Sequence, residues 1–279
     1  MKTILLPTDF SINSINAINY AIELFKDVEC HFYILNVQKA SAFISDDMMV
    51  VSSSATIYNT IIDAAKKSIS NIISTIEKKH KNKKHHFASV VDYDNFIDSI
   101  NQVSKKHSVD LIVMGTRGAS GLSKVIFGSN TVRVIQRCNM PVLAIPDGCK
   151  FDSISKIVFA TSNSKQFNTN EFKPLKEIMA LGNSKLDILH LADQHHLAYN
   201  AYDNMDFFNT YYNDAKHEFI DTISNDMFNA VYKYIEHNDI KILAMMNKKH
   251  SFLERLFIRH NVETFAFNID IPFLVMQHS

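Results

Sequence analysis

Four of the six glycines in this 279-residue chain, Gly115, Gly118, Gly121 and Gly128, fall in the single stretch MGTRGASGLSKVIFGSN at 114–130. That stretch follows the apolar run Leu111, Ile112, Val113 and Met114 and precedes the helix-like TVRVIQR. Glycine accepts positive φ and lets a ligand approach the backbone, so a strand, a glycine loop and a helix start in succession suit an anion cradle. A plain strand-to-helix connection also uses glycine, for caps and turns. Phosphate binding is the chemistry this stretch could do, and a bare connection is the alternative reading.

Other residues with chemistry in them form weaker patterns. Asp9 follows the first apolar run and suits either a phosphoacceptor site of the receiver type or the cap of the first helix. The receiver reading needs an acidic cluster and an aspartate ending the third strand. Asp92 and Asp94 are the candidates, but the glycine loop then has no task. GxxxxGK[ST] does not occur, and PTDFS lacks the glycines of GxGxxG, so P-loop and dinucleotide chemistry fall away. In a chain with 13 His, no ordering of Ser, His and Asp stands out as a triad. His85, His86, His195 and His196 form doublets rather than an HxxxH face, which speaks against a metal site. KKHKNKKHH at 78–86 reads as a solvated helix end that could also meet an acidic partner. Tyr199, Tyr202, Phe207, Phe208, Tyr211 and Tyr212 suit helix core packing, or the lining of a pocket or partner surface. Met48 and Met49 are either a flap or loop filler.

The elements that must position the glycine loop are legible from hydrophobic spacing. Lys2 to Leu6 reads as a strand buried on both faces and stopped by Pro7. Ser11 or Asn13 can cap a helix carrying Ile15, Ile18, Ile22 and Phe25 at steps of three and four. HFYILNV, ending at Val37, is a second strand, and the serine-rich Gln38 to Ala55 a loop. A long helix follows with Ile57, Ile61, Ala65, Ile69, Ile72 and Ile76 as its stripe and Asp63, Lys66, Lys67 and Glu77 on the wet side. Phe87 to Val91 is a strand, Phe96, Ile100 and Val103 a helix face, and Asp110 to Met114 the fourth strand. Thr131 to Arg137 is helical, and Pro141 to Ile145 is the fifth strand. Strands alternating with helices predict a doubly wound α/β fold with a five-stranded parallel sheet. Ligands of such sheets sit beyond the carboxyl ends of the strands where strand order reverses, which brings Pro7, Thr8 and Asp9 near Gly115 to Ser129.

The stretch from Phe151 onward repeats this outline. KIVFATSNS at 156–164 echoes KTILLPTDFS from residue 2, and LDILHLA at 186–192 echoes FYILNVQ at 32–38, both at an offset of 154. Asp239 to Met245 echoes Asp110 to Thr116, IDIPFLVM echoes CNMPVLAI, and a third strand is expected near Phe219 to Ile223. The expected domains are therefore 1–147 and 151–279. The second copy has MMNKKHSFLERLFIRHNVE where the first has its glycines. Bulky and charged residues there should block a phosphate, although Lys248, Lys249, Arg255 and Arg259 could attract an anion or form a solvated face.

Composition bounds the partners. Lys and Arg total 29, and so do Asp and Glu, so no basic field favours nucleic acid and no acidic balance a polycation. Cys30, Cys138 and Cys149 are odd in number and scattered, against a disulfide framework, and a reducing cytoplasm fits them. No signal-like segment opens the chain, and no apolar run approaches the roughly 18 residues of a membrane span.

With loop and duplication in hand, the sequence resembles a tandem universal stress protein. The family's nucleotide signature is Gly, two residues, Gly, nine residues, Gly, then Ser or Thr, and Gly115, Gly118, Gly128 and Ser129 stand at that spacing. ILLPTDFS and CNMPVLAIP are similar to the family as well. The resemblance implies ATP across the carboxyl edge of the first sheet, with or without Mg or Mn. It places Gly118, Gly128, Ser129 and Asn130 at the phosphates, Asp9 at the ribose or a metal, and the Val37 backbone at adenine. Met114 would line the base pocket, Gly115 would make the turn, Arg117 is a candidate partner for leaving charge, and Gly121 has no motif role. It also implies that the copies form a pseudo-dimer through their fifth strands, Pro141 to Ile145 and Pro272 to Met276, with a homodimer of chains open. The expected function is an ATP-binding stress or regulatory protein with one site and slow or no hydrolysis. The alternative is a non-nucleotide interaction module for a protein partner or small apolar ligand, and a genuine hydrolase is a third class.

Overall fold

A computed structural model describes residues 1–38, 54–116, 128–161, 167–192, 204–221, 227–247 and 270–277. The first half runs β1 Lys2–Pro7, α1 Ile12–Leu24, β2 Cys30–Val37, α2 Ser54–His80, β3 His85–Asp92, α3 Phe96–Lys106, β4 Leu111–Gly115, α4 Ser129–Arg137 and β5 Val142–Ile145. The second runs β6 Lys156–Thr161, α5 Lys173–Gly182, β7 Lys185–Ala192, α6 Met205–Tyr211, β8 Lys216–Asp221, α7 Met227–His237, β9 Ile242–Asn247 and β10 Phe273–Gln277. These strands form one ten-stranded sheet in the order β3-β2-β1-β4-β5-β10-β9-β6-β7-β8. Every pairing within a half is parallel. Each half is thus a doubly wound five-stranded sheet, and the second repeats the strand order of the first.

Alternate side chains on each strand enter different cores because helices cover both faces. Ile4 and Leu6 join a cluster with α1, α2, α5 and α6 residues, among them Ile18, Ile69, Leu175 and Phe208. Leu5 points the other way, into a cluster with Ile100 of α3, Val134 of α4 and Val231 of α7. The stripe expected for α2 is present where its side chains are described: Ala65, Ile69 and Ile76 are buried, while Asp63, Lys66, Lys67 and Glu77 are exposed.

The halves meet at β5 and β10, which pair antiparallel with Leu143 opposite Leu274. Each would otherwise present an open sheet edge. Asn247 donates to the Ile135 carbonyl at 2.7 Å and Gln277 to the Met140 carbonyl at 3.2 Å, tying the second half to the flanks of β5. Lys2 reaches Glu177 of α5 at 2.5 Å. Gly148, at φ +69°, makes the turn between the halves. At Gly182 a Cβ would run into the Ile154 side chain.

The fold corrects the repeat in detail. Ile157 and Phe159 occupy the core that Ile4 and Leu6 occupy. Lys241 N–H donates to Lys156 O as Asp110 N–H donates to Thr3 O. Lys156 therefore stands at the place of Thr3, not Lys2, and Thr161 at the place of Thr8. The echo by letters was one residue out, and in a strand one residue exchanges the faces. The fourth-strand echo was two out: Leu243 N–H donates to Pro272 O as Ile112 N–H does to Pro141 O, so Ile242 answers Leu111. Ser108 and Asp239, both at positive φ, mark the same turn in the two halves. The third strand of the second half, β8, begins at Lys216, earlier than expected.

Candidate functional site

The chain passes from β1 to β2 and β3 on one side, then to β4 and β5 on the other. β1 and β4 are neighbours, with Ile4 opposite Leu111 and Leu5 opposite Ile112. Strand order therefore reverses between them, and sheets of this kind have their crevice there, beyond the carboxyl ends of the strands. The turns after β1 and β4 flank it, with the end of β2 beside them.

The β1 turn is held by a dense set of short bonds. Thr8, 6 % exposed, donates its N–H to Leu35 O at 2.8 Å and its hydroxyl lies 2.9 Å from that of Ser14. The same hydroxyl accepts from Phe10 N–H at 3.0 Å, and Phe10 takes φ +63°. Ser11 is the N-cap of α1 and accepts from Ser14 N–H. Asp9, exposed beside buried Pro7, is not that cap. Its Oδ1 accepts from the Ser11 N–H at 3.1 Å and hydroxyl at 2.6 Å, one step back along the turn.

The β4 turn is closed at its base. Gly128 N–H donates to Thr116 O at 2.5 Å, and Thr116 N–H to Ile145 O at 2.8 Å, so the two described ends of segment 117–127 meet at the tip of β4. Thr131, 2 % exposed, points its hydroxyl back to Gly115 O at 2.9 Å and so fastens the first turn of α4 to the end of β4. Gly128 is the N-cap and makes no side-chain cap bond. Ser129 and Asn130 are exposed. An α-helix leaves its first amides without intrahelical acceptors. Here no cap side chain takes them, and with the helix dipole they suit a bound anion.

The remaining expected residues are spread as follows. Val37 ends β2, half-buried, opposite Asp92 of β3. Met114 is buried and packs into the core on the α3 and α4 side, below the crevice. Arg117, Gly118 and Gly121 lie outside the described residues. So do Met48, Met49, Tyr199, Tyr202, His195, His196 and the 248–269 segment with Lys248, Lys249, Arg255 and Arg259. Thr131 and Asn36 were missed. Asn36 is 4 % exposed, and the signal for it was a polar residue inside the apolar run FYILNV.

The described residues bear on several other readings. Asp92 and Asp94 do not face Asp9, because β3 is an edge strand with β2 between it and β1. Their carboxylates accept from Tyr93 and Asn95 N–H instead, so the receiver reading falls. Phe207 and Phe208 join Phe159, Phe167, Phe172 and Tyr212 in an edge-to-face aromatic core, with Phe208 fully buried. All three cysteines are free thiols, and burial pushes each up to about 11. Among the described residues, no three His, Cys, Asp or Glu side chains gather as a metal site, and no helix is long and apolar enough to cross a membrane.

The fold defines a class: a doubly wound α/β protein, repeated within one chain, with a helix start that carries no side-chain cap bond at its switch point. The sequence model of the Universal stress protein family matches residues 1–146, just over half the chain, and the chain belongs to that family. It is 26 % identical over 144 residues to Universal stress protein MJ0531 of Methanocaldococcus jannaschii, covering 52 % of this chain and 81 % of that one. Universal stress protein MJ0577 of the same organism is 25 % identical over 157 residues, covering 52 % and 94 %. A universal stress protein of Archaeoglobus fulgidus superposes with a TM-score of 0.69 at 16 % identity over 99 % of this chain and 96 % of that one, a likeness of fold across both halves.

Proposed function

We propose that this chain binds one adenine nucleotide, ATP, in its first half and serves a regulatory or stress-response role with slow or no hydrolysis. One observation carries the reading. The signature Gly115, Gly118, Gly128 and Ser129 spans the β4 to α4 connection, whose described end is a helix start capped by Gly128 with no side-chain cap bond, closed onto Thr116 at the switch point. The phosphates would meet the amides of Gly118, Gly128, Ser129 and Asn130 and the Ser129 hydroxyl. Pro7, Thr8 and Asp9 would form the facing wall, with Asp9 toward the ribose or an accompanying Mg or Mn. Val37 and Met114 would bound the base, and Arg117 the phosphate tail.

In this reading the domains are 1–147 and 151–279, the second supports rather than binds, and β5 against β10 makes the two an intramolecular pseudo-dimer. The scattered free thiols fit a cytoplasmic location. Of the described part of the aromatic segment, Phe207, Phe208 and Tyr212 pack into the core, and Tyr211 stays exposed. Mass spectrometry of small molecules released from the denatured protein tests the proposal. Adenine nucleotide near one per chain is expected. None recovered, together with no binding on addition, contradicts it. Turnover above background that disappears in Asp9→Ala or Ser129→Ala would move the protein to the hydrolases.

A further inference from the structure

The described residues contain a side-chain bridge between the turn that carries Asp9 and the strand end that carries Val37. Asn36 Nδ2 donates to Thr8 O at 2.8 Å, and Asn36 Oδ1 accepts from Gln38 Nε2 at 2.6 Å. Gln38 is itself anchored, its N–H donating to Asp92 O of β3 at 2.9 Å. Asn36 is buried near the end of β2, where a leucine or valine would fill the space and leave the Thr8 carbonyl without this donor. A buried primary amide is expensive unless both its ends are satisfied. Here both are, and each bond goes to a different wall of the crevice.

The second half replaces this group. His190 stands at the place of Asn36, since Ile188 and Leu189 match Ile34 and Leu35 in the two cores. Its Nε2 lies 2.9 Å from Nδ1 of His217 on β8, and its ring stacks on Phe219 at 4.4 Å between centroids. His190 thus reaches outward to β8, whereas Asn36 reaches to the turn after β1.

We propose that Asn36, with Gln38 behind it, is a positioning residue of the nucleotide site: it sets the Thr8–Asp9 peptide relative to the end of β2. The inference rests on the nucleotide reading above. It assigns the bridge to the nucleoside end of the ligand and not to its phosphate tail, which the β4 to α4 turn would hold alone. Asn36→Leu keeps close to the volume, adds no charge and removes both bonds of the amide. Gln38→Leu, at a half-buried position, removes the second link with little risk to folding.

Equilibrium binding of ATP, adenosine and inorganic tripolyphosphate to the full chain separates the outcomes. Loss of the buried bridge predicts about a tenfold weaker affinity of Asn36→Leu for ATP and adenosine, with tripolyphosphate unchanged. For Gln38→Leu the same split is expected at roughly threefold. A merely structural role would weaken all three ligands together or none. Equal weakening of all three, or wild-type affinity for ATP in both variants, overturns the inference while leaving the nucleotide reading standing. Failure of the wild type to bind ATP overturns both.

Discussion

Thr131 shows how much one hydroxyl can organise. Its bond to Gly115 O fixes the first turn of α4 against the end of β4, inside the core and away from water. Thr131→Val keeps the shape and leaves that carbonyl without its partner. Urea unfolding should then show a loss of about 1–3 kcal/mol, with Thr131→Ser near the wild type. His190 makes a pH prediction. Burial, then the nearby His217, lowers it to about 4 from an ordinary 6.5. The unfolded chain therefore takes up this proton more readily than the folded one. Stability from this group is complete above about pH 6.5 and is lost as pH falls toward 4. His31, His85 and His217 are lowered too and act in the same direction. The unfolding midpoint of the wild type should drop through that window, and His190→Gln should flatten part of the drop. An equal slope in both proteins would contradict the assignment. At this scale the sequence showed types and spacing but not partners. Asp9 could be read as a cap, yet the choice between Asp9 and Ser11 depends on the φ +63° turn at Phe10, which no letter announces.

Elements were more legible, because burial on two faces leaves long apolar runs and helix stripes that spacing alone reveals. β1, β2, β4 and β5 each fall within a residue or two of expectation, and the α2 stripe is in place. What spacing could not set was register. KIVFAT and KTILLP look aligned at their lysines, but the ladder to β9 and the sharing of the core by Ile4 and Ile157 move the match by one residue. β5 makes the element-scale prediction. In the whole chain its outer edge is covered by β10, with Leu143 opposite Leu274. Residues 1–147 produced alone should pair β5 with β5 of a second fragment, since antiparallel self-pairing has the required two-fold symmetry. Light scattering should give a dimer. A monomeric fragment at concentrations where it is folded would contradict this.

Across the molecule, duplication supplies two switch points in one sheet, and the proposed nucleotide site is at the first. Hydrophobic patterning repeated twice marks the strands of both halves, and the β5 to β10 seam, which only the family resemblance implied, joins them in one sheet. The asymmetry comes from a few residues: glycines at 115, 118 and 128 in one half, and His190 in place of Asn36 in the other. The glycine spacing was visible in the sequence. The closure of Gly128 onto Thr116 was not, because it depends on where two backbone groups meet after the strand and helix have packed. Calorimetric titration of the full chain with ATP, beside Gly118→Val, tests the central claim most directly. A valine side chain at that position should block close approach of the phosphates to the backbone. One ATP per chain is expected for the wild type and none for the variant. Absence of binding by the wild type, equal binding by both proteins, or two equivalent sites per chain would contradict it.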